Sequence, residues 1–338
     1  MKTIRHSLLL IISFLSVPDF LFAQDFWQQT SPMEGGHVNC LVANSIGHLF
    51  AGTEGGGLFR SADNGGLWVS QTGAGFQPGV RLRAIALAAA GNLFAGADGG
   101  DVYRSADNGG TWTRVGRTIP EGEWAGVSSL AINAAGTLFA GMNDGRVFRS
   151  TDNGVSWERA STGLACTSVR ALAINPTGHI FAATNVGVFR TTNNGTNWSA
   201  VNSGLTSTDV YGVTITPKGA VLIGTDKGTN PGIFRSADGS GNWSQVLQYS
   251  IVFTFTLGPN GNLYAGGYNG PVHLSTDDGI SWTPQGAKTG VWIHCLYVNP
   301  SGTLYAGTDG IFRSTDAGKS WTSSYKGLAC TDVVGFST

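Results

Sequence analysis

Seven times along the chain the same eight-residue phrase returns: a hydroxyl residue, an acid or amide two places on, a glycine soon after, and a closing tryptophan. The copies run Ser61 to Trp68, Ser105 to Trp112, Ser150 to Trp157, Thr191 to Trp198, Ser236 to Trp243, Ser275 to Trp282 and Ser314 to Trp321. Their tryptophans stand 39 to 45 positions apart. Such a period, with several short alternating strands per unit, is what a four-stranded propeller blade needs, since one blade cannot bury its own faces and must stack on neighbours. The expected fold is all-β: a β-propeller of four-stranded blades with seven complete repeats.

The letters of the phrase explain its use. Asn-Gly, Asp-Gly and Ala-Gly steps suit a hairpin turn with positive φ, and a hydroxyl and a carboxylate beside the turn accept its backbone N–H groups. Asp63, Asp107, Asp152, Asn193, Asp238, Asp277 and Asp316 are therefore assigned a structural role. So are Trp68, Trp112, Trp157, Trp198, Trp243, Trp282 and Trp321, whose large rings can cover the packing between blades.

One repeat gives the blade. Residues 169–175 alternate into a first strand, 179–184 form a second, 188–190 a third, and Trp198 opens a fourth. No helical periodicity follows the N-terminal segment. Charge is sparse at 12%, as strands buried on both faces require, and 51 glycines fit frequent turns. A closed ring of blades is a single domain, here residues 24–338.

Lys2 and Arg5 precede the apolar run 8–15, and Leu21-Phe22-Ala23 offers a small residue at a cleavage point, the pattern of a secretory signal over 1–23. The run is too short for a membrane span. An exported chain without a membrane span is expected. Trp27 resembles an eighth tryptophan strand with nothing before it, and 331–336 an eighth first strand with nothing after it. Seven blades with spare terminal strands is favoured over eight, with the N-terminal segment donated to the last blade to remove free edges. The end at Phe336-Ser337-Thr338, in mid-strand, suggests C-terminal truncation.

The near-neutral balance, formally -1, argues against nucleic acid, which requires clustered Lys and Arg. Arg60, Arg104, Arg149, Arg190, Arg235 and Arg313 recur just before the phrase and mark one strand position, suited to pairing with acids of the next blade. Cys40 and Cys295 fall at equivalent first-strand places, so a seam disulfide and buried free thiols are both open. No Cys or His cluster has zinc spacing, so neither metal nor cofactor is expected.

The phrase is the one known as an Asp box, and over residues 25–330 the chain resembles the BNR or Asp-box repeat propellers. That group includes sialidases, xyloglucan-cleaving glycoside hydrolases, fucose-binding lectins, sortilin-type receptors and photosystem II assembly factors of the Ycf48 type. The box carries no chemistry of its own. A sialidase-like site would need three arginines, a Tyr–Glu pair and an Asp, and the non-repeat arginines stand in no matching phrase. A xyloglucanase-like site would need two opposed carboxylates. The acids of the turn after each second strand, Glu54, Asp98, Asp144, Asp226 and Asp309, repeat with the fold, which leaves Glu121, Glu123 and Asp101 as the off-pattern catalytic candidates.

The longest break in the repeat is 116–126, where Trp124 and Arg117 form a candidate ligand contact, since loops that interrupt a repeat carry function. Trp292 is a second aromatic outside the boxes. The expectation is an exported, monomeric, non-catalytic module binding glycan or extracellular protein, with glycoside hydrolysis as the alternative.

Overall fold

The computed structural model describes residues 37–328, apart from 72, 78, 90, 121–122, 227–229, 250, 287–290 and 325. Within these, seven four-stranded antiparallel sheets occupy 38–70, 82–117, 127–159, 169–200, 210–248, 252–285 and 295–323, here blades 1 to 7. Each sheet is built from four consecutive strands. The only helical turn among the described residues is Asp98–Gly100. The strand donation expected at the ends falls on Trp27 and 331–336, outside the described residues.

The strands follow the alternation closely. In blade 4 they are Val169–Ile174, Ile180–Thr184, Gly187–Thr191 and Ser199–Ala200. Every second strand from blade 1 to blade 6 is buried at all five positions. A strand covered on both faces needs apolar residues throughout, which is why Leu-Phe-Ala-Gly phrases recur there.

The core lies between the blades. Each of seven apolar clusters draws on two neighbours: Phe50 and Leu58 of blade 1 pack with Leu82 and Leu93 of blade 2, and Val38 and Phe59 of blade 1 pack with Tyr305 and Ile311 of blade 7. Blade 7 therefore closes on blade 1 by the same packing as the other interfaces. The glycine ending the second-strand phrase allows this approach, since a Cβ at Gly96 would stand 2.4 Å from Val127 Cγ1, and one at Gly307 would stand 2.9 Å from Val38 Cγ1.

The boxes work as their letters imply. In blade 2, Ser105 Oγ donates to Asp107 Oδ1 (2.7 Å) and accepts Gly109 N–H (2.8 Å), while Asp107 Oδ1 accepts Thr111 N–H (2.9 Å). Asn108 and Gly109 both have positive φ, +58° and +83°, the left-handed pair of a type I′ turn. Blade 5 departs from this: Ser240 replaces the glycine, and the Ser236 hydroxyl is buried without a partner. The tryptophans also divide. The indole N–H of Trp198 donates to Ala160 O, that of Trp243 to Val201 O and that of Trp68 to Ser324 O, each the residue just after the preceding blade's last strand. Those of Trp157, Trp282 and Trp321 donate within their own box.

The repeated arginines mostly find carbonyls of the next blade rather than acids. Arg149 donates to Asn194 O, Arg190 to Gly239 O, Arg235 to Asp278 O and, across the seam, Arg313 to Asn64 O. All four acceptors are the fourth residue of a box, whose turn leaves that carbonyl free to accept. Only Arg235 adds a carboxylate of the next blade, Asp278, at 2.8 Å. Cys40 and Cys295 are free thiols, and burial pushes Cys40 up to about 12, so its protonated form prevails at neutral pH.

Candidate functional site

The site begins with a defect in strand pairing. In blades 1 to 6 the register between first and second strands skips one residue: Asn39, Arg83, Ser128, Arg170, Tyr211 and Phe253. Such a bulge leaves the extra residue unpaired and re-aims its side chain. In blade 7, His294 occupies the equivalent place, just before the strand Cys295–Val298. Because Val38 pairs with Thr53 while Leu49 pairs with Ser61, these residues lie at the end of the ring opposite the boxes. With Asn143, Ser168 and Trp292 they line a cavity of about 380 Å³.

Two kinds of wall face each other. On one side Tyr211 meets Phe253 edge-on at 4.9 Å, Phe253 stacks on Trp292, and Trp292 lies within 13° of parallel to His294. Tyr268 packs against Trp292, at 4.5 Å. The other side is polar. Arg83 donates to Asp98 (2.7 Å) and Glu54 (3.1 Å), a pairing that raises the pKa of its guanidinium, chiefly through the Asp98 hydrogen bond. Asn39 donates to Glu54 (2.9 Å) and to Leu82 O (3.1 Å). Arg170 pairs with Asp209 at 2.6 Å and lies 3.6 Å over the Tyr211 ring, a cation–π contact.

The repeated turn acids bond residues of the cavity wall or their neighbours, and Asp226 bonds Tyr211. Glu54 and Asp98 hold Arg83, Asp144 holds Arg146, and Asp309 meets His37. No carboxylate is among the described residues lining the cavity. His37, from the other end of the chain, and His294 and Asp309 each bring a ligand atom to within 4.8 Å of the others, a grouping that zinc-like spacing could not reveal.

Of the sequence candidates, Trp292 lines this cavity and stands 46% exposed. Trp124 is 86% exposed on the loop after blade 2 and is not among the lining residues. Arg117 ends the fourth strand of blade 2, donating to Gly99 O and Glu123 O. Glu123 pairs with Arg146 and Asp101 with Arg114, both at 2.6 Å, and neither lines the cavity. Glu121 lies outside the described residues. The bulge ring is what sequence reasoning missed. Its signal was a position that changes chemistry from blade to blade between two constant neighbours, a branched apolar residue before it and a small one after it.

Residues 83–250 match the family model described as the DUF6242 beta propeller domain. No curated protein matches the sequence. Among solved structures, the chain is similar to the GH74 enzyme of Niastella koreensis, with 16% identity and a TM-score of 0.69, covering 88% of this chain and 55% of that one. It is also similar to the extracellular domain of BT4673 from B. thetaiotaomicron, with 17% identity, a TM-score of 0.66, and coverage of 83% and 38%. A third is YCF48 bound to D1 peptide, with 16% identity, a TM-score of 0.64, and coverage of 85% and 96%. The chain thus spans about half or less of the first two. At these identities the likeness is one of fold. The chain is a seven-bladed Asp-box repeat β-propeller that carries, over residues 83–250, a match to the DUF6242 beta propeller domain.

Proposed function

We propose that this propeller is an exported, monomeric binding module, residues 24–338 after removal of 1–23, and that its central cavity takes a glycan. The observation that carries the reading is the two-walled cavity. Tyr211, Phe253 and Trp292 offer apolar ring surface to the apolar face of a pyranose, and Asn39, Arg83, Ser128 and Arg170 offer groups to its hydroxyls. A hydrolase requires paired carboxylates aimed at one bond, and the acids nearest this cavity are instead engaged with Arg83 and Arg170. No helix among the described residues is long and apolar enough to cross a membrane, and the similarity to an extracellular domain is in keeping with export.

The test is a glycan array probed with the purified chain, together with incubation against xyloglucan oligosaccharides and sialosides to detect cleavage. Retention of a saccharide that disappears on Trp292→Ala, without product, supports the module. Product release abolished by a single carboxylate substitution establishes the hydrolase. Binding of peptides but of no saccharide would move the reading to a protein partner.

A further inference from the structure

The seam between blades 7 and 1 differs from the neighbouring interface in one chemical respect. Between blades 1 and 2, the turn acid Glu54 faces Arg81 and Arg83, fixed cations that neutralise it. At the seam, the equivalent acid Asp309 faces His37 of blade 1, which holds the position of Arg81, and His294 of its own blade, while Asn39 takes the position of Arg83. A guanidinium brings its own charge and has no lone pair to give, whereas a neutral imidazole brings a lone pair and no charge. A carboxylate beside two imidazoles is a donor set suited to a divalent cation.

Three observations support this. His37 Nδ1 already meets Asp309 Oδ1, at 2.5 Å. The imidazoles of His37 and His294 lie with centroids 4.9 Å apart. Nε2 of His294 is buried and has no hydrogen-bond partner, which is costly for a polar atom unless something else meets it.

We propose that His37, His294 and Asp309 form a site for a divalent transition-metal ion of the Zn²⁺ class, joining the first blade to the last. Two imidazole nitrogens and one carboxylate oxygen suit zinc and its neighbours, whereas calcium and magnesium take oxygen donors. Bonds of about 2.0–2.2 Å place donors on a tetrahedral ion about 3.3 Å apart, so the group must tighten by about 1.5 Å at its widest. His37 and Asp309, each more than half exposed, are free to rotate by that much. Three protein donors leave a coordination position for water or for a donor atom of whatever occupies the cavity that His294 also lines. The ion would reinforce a junction otherwise made by contacts such as Val38 N–H to Thr308 O (2.9 Å) and the Trp68 indole to Ser324 O (2.6 Å).

The test needs no saccharide and so stands apart from the glycan reading. The full chain is stripped with EDTA, dialysed and titrated with ZnCl₂ by calorimetry, beside His37→Gln, Asp309→Asn and a Cys40→Ser/Cys295→Ser double variant. Both single substitutions fall on exposed side chains, and circular dichroism confirms that each folds. The expected result is one equivalent of zinc, an upward shift in thermal midpoint with zinc present, at least a tenfold loss of affinity in each single variant, and undiminished affinity in the double variant. Absence of stoichiometric binding, affinity unchanged in both single variants, or affinity lost only with the cysteines overturns the proposal.

Discussion

The indole of Trp292 lies 9° from parallel with the ring of Phe253, their centroids 5.1 Å apart, although Phe253 is the bulged residue of blade 6 and Trp292 belongs to the segment entering blade 7. Both rings line the cavity, and that of Trp292 remains partly open to solvent. Trp292→Ala is expected to weaken saccharide binding at least about tenfold, or about 1.4 kcal/mol. Because the ring is 46% exposed, the unfolding midpoint should move little. Trp124→Ala should leave affinity unchanged. A loss falling on Trp124 instead would place the ligand on the loop after blade 2.

The irregular box in blade 5 gives a matched pair of stability variants. Ser105→Ala removes an acceptor for Gly109 N–H and a donor to Asp107, leaving a buried group unsatisfied, so a cost of about 1–3 kcal/mol is expected in urea unfolding. Ser236 has no partner to lose, and Ser236→Ala should be neutral or stabilising. Equal costs at both positions would refute this account of the box.

Acid should weaken the turns within a defined window. Hydrogen bonds from the backbone and side chain of Thr111 hold Asp107 at about 2, those from Ser156 do the same for Asp152, and those from Ser281 for Asp277. A carboxyl depressed in the folded state contributes stability that is complete above its unfolded value of about 3.9 and is lost as pH falls through the folded value. The thermal midpoint should therefore drop between about pH 4 and pH 2. Asn193 already makes the same bonds without titrating, accepting from Thr191 (2.8 Å) and Asn197 (2.9 Å). Replacing Asp107, Asp152 and Asp277 with Asn should flatten the drop.

A second, higher window belongs to His273. It stands where other blades place Phe or Tyr, is 5% exposed against Tyr249, and burial lowers it to about 4. The unfolded chain takes up its proton near pH 6.5 and the folded chain only near 4, so stability should decline as pH falls between those values, by at most about 3 kcal/mol. His273→Phe should shrink this limb, to which His294, also lowered by burial, still contributes, and leave the one below pH 4. A variant whose profile between pH 6.5 and 4 matches the parent would place the titration elsewhere.

What could be read from the sequence was what is local. Serine and aspartate two residues apart, with glycine following, fix a turn by bonds that span at most four residues, so each box could be assigned from its own letters. Alternation and the Leu-Phe-Ala-Gly phrase likewise set the four strands of a blade and their burial. The arginines show where this stops: their position repeats in the sequence, but the partner is a carbonyl freed by the turn of the next blade.

The candidate site lies on the other side of that boundary. A bulge is a slip between two strands, invisible in either one, and it alone turns Asn39, Arg83, Arg170, Tyr211 and Phe253 toward the centre. His37 and Asp309 are 272 positions apart and touch only because the ring closes. Sequence by itself determined the blade and its number of copies, since backbone pairing and turn chemistry act between near neighbours. Tertiary structure decided which side chains share the cavity and the seam, because closing seven blades into a ring makes neighbours of residues that no local pattern relates.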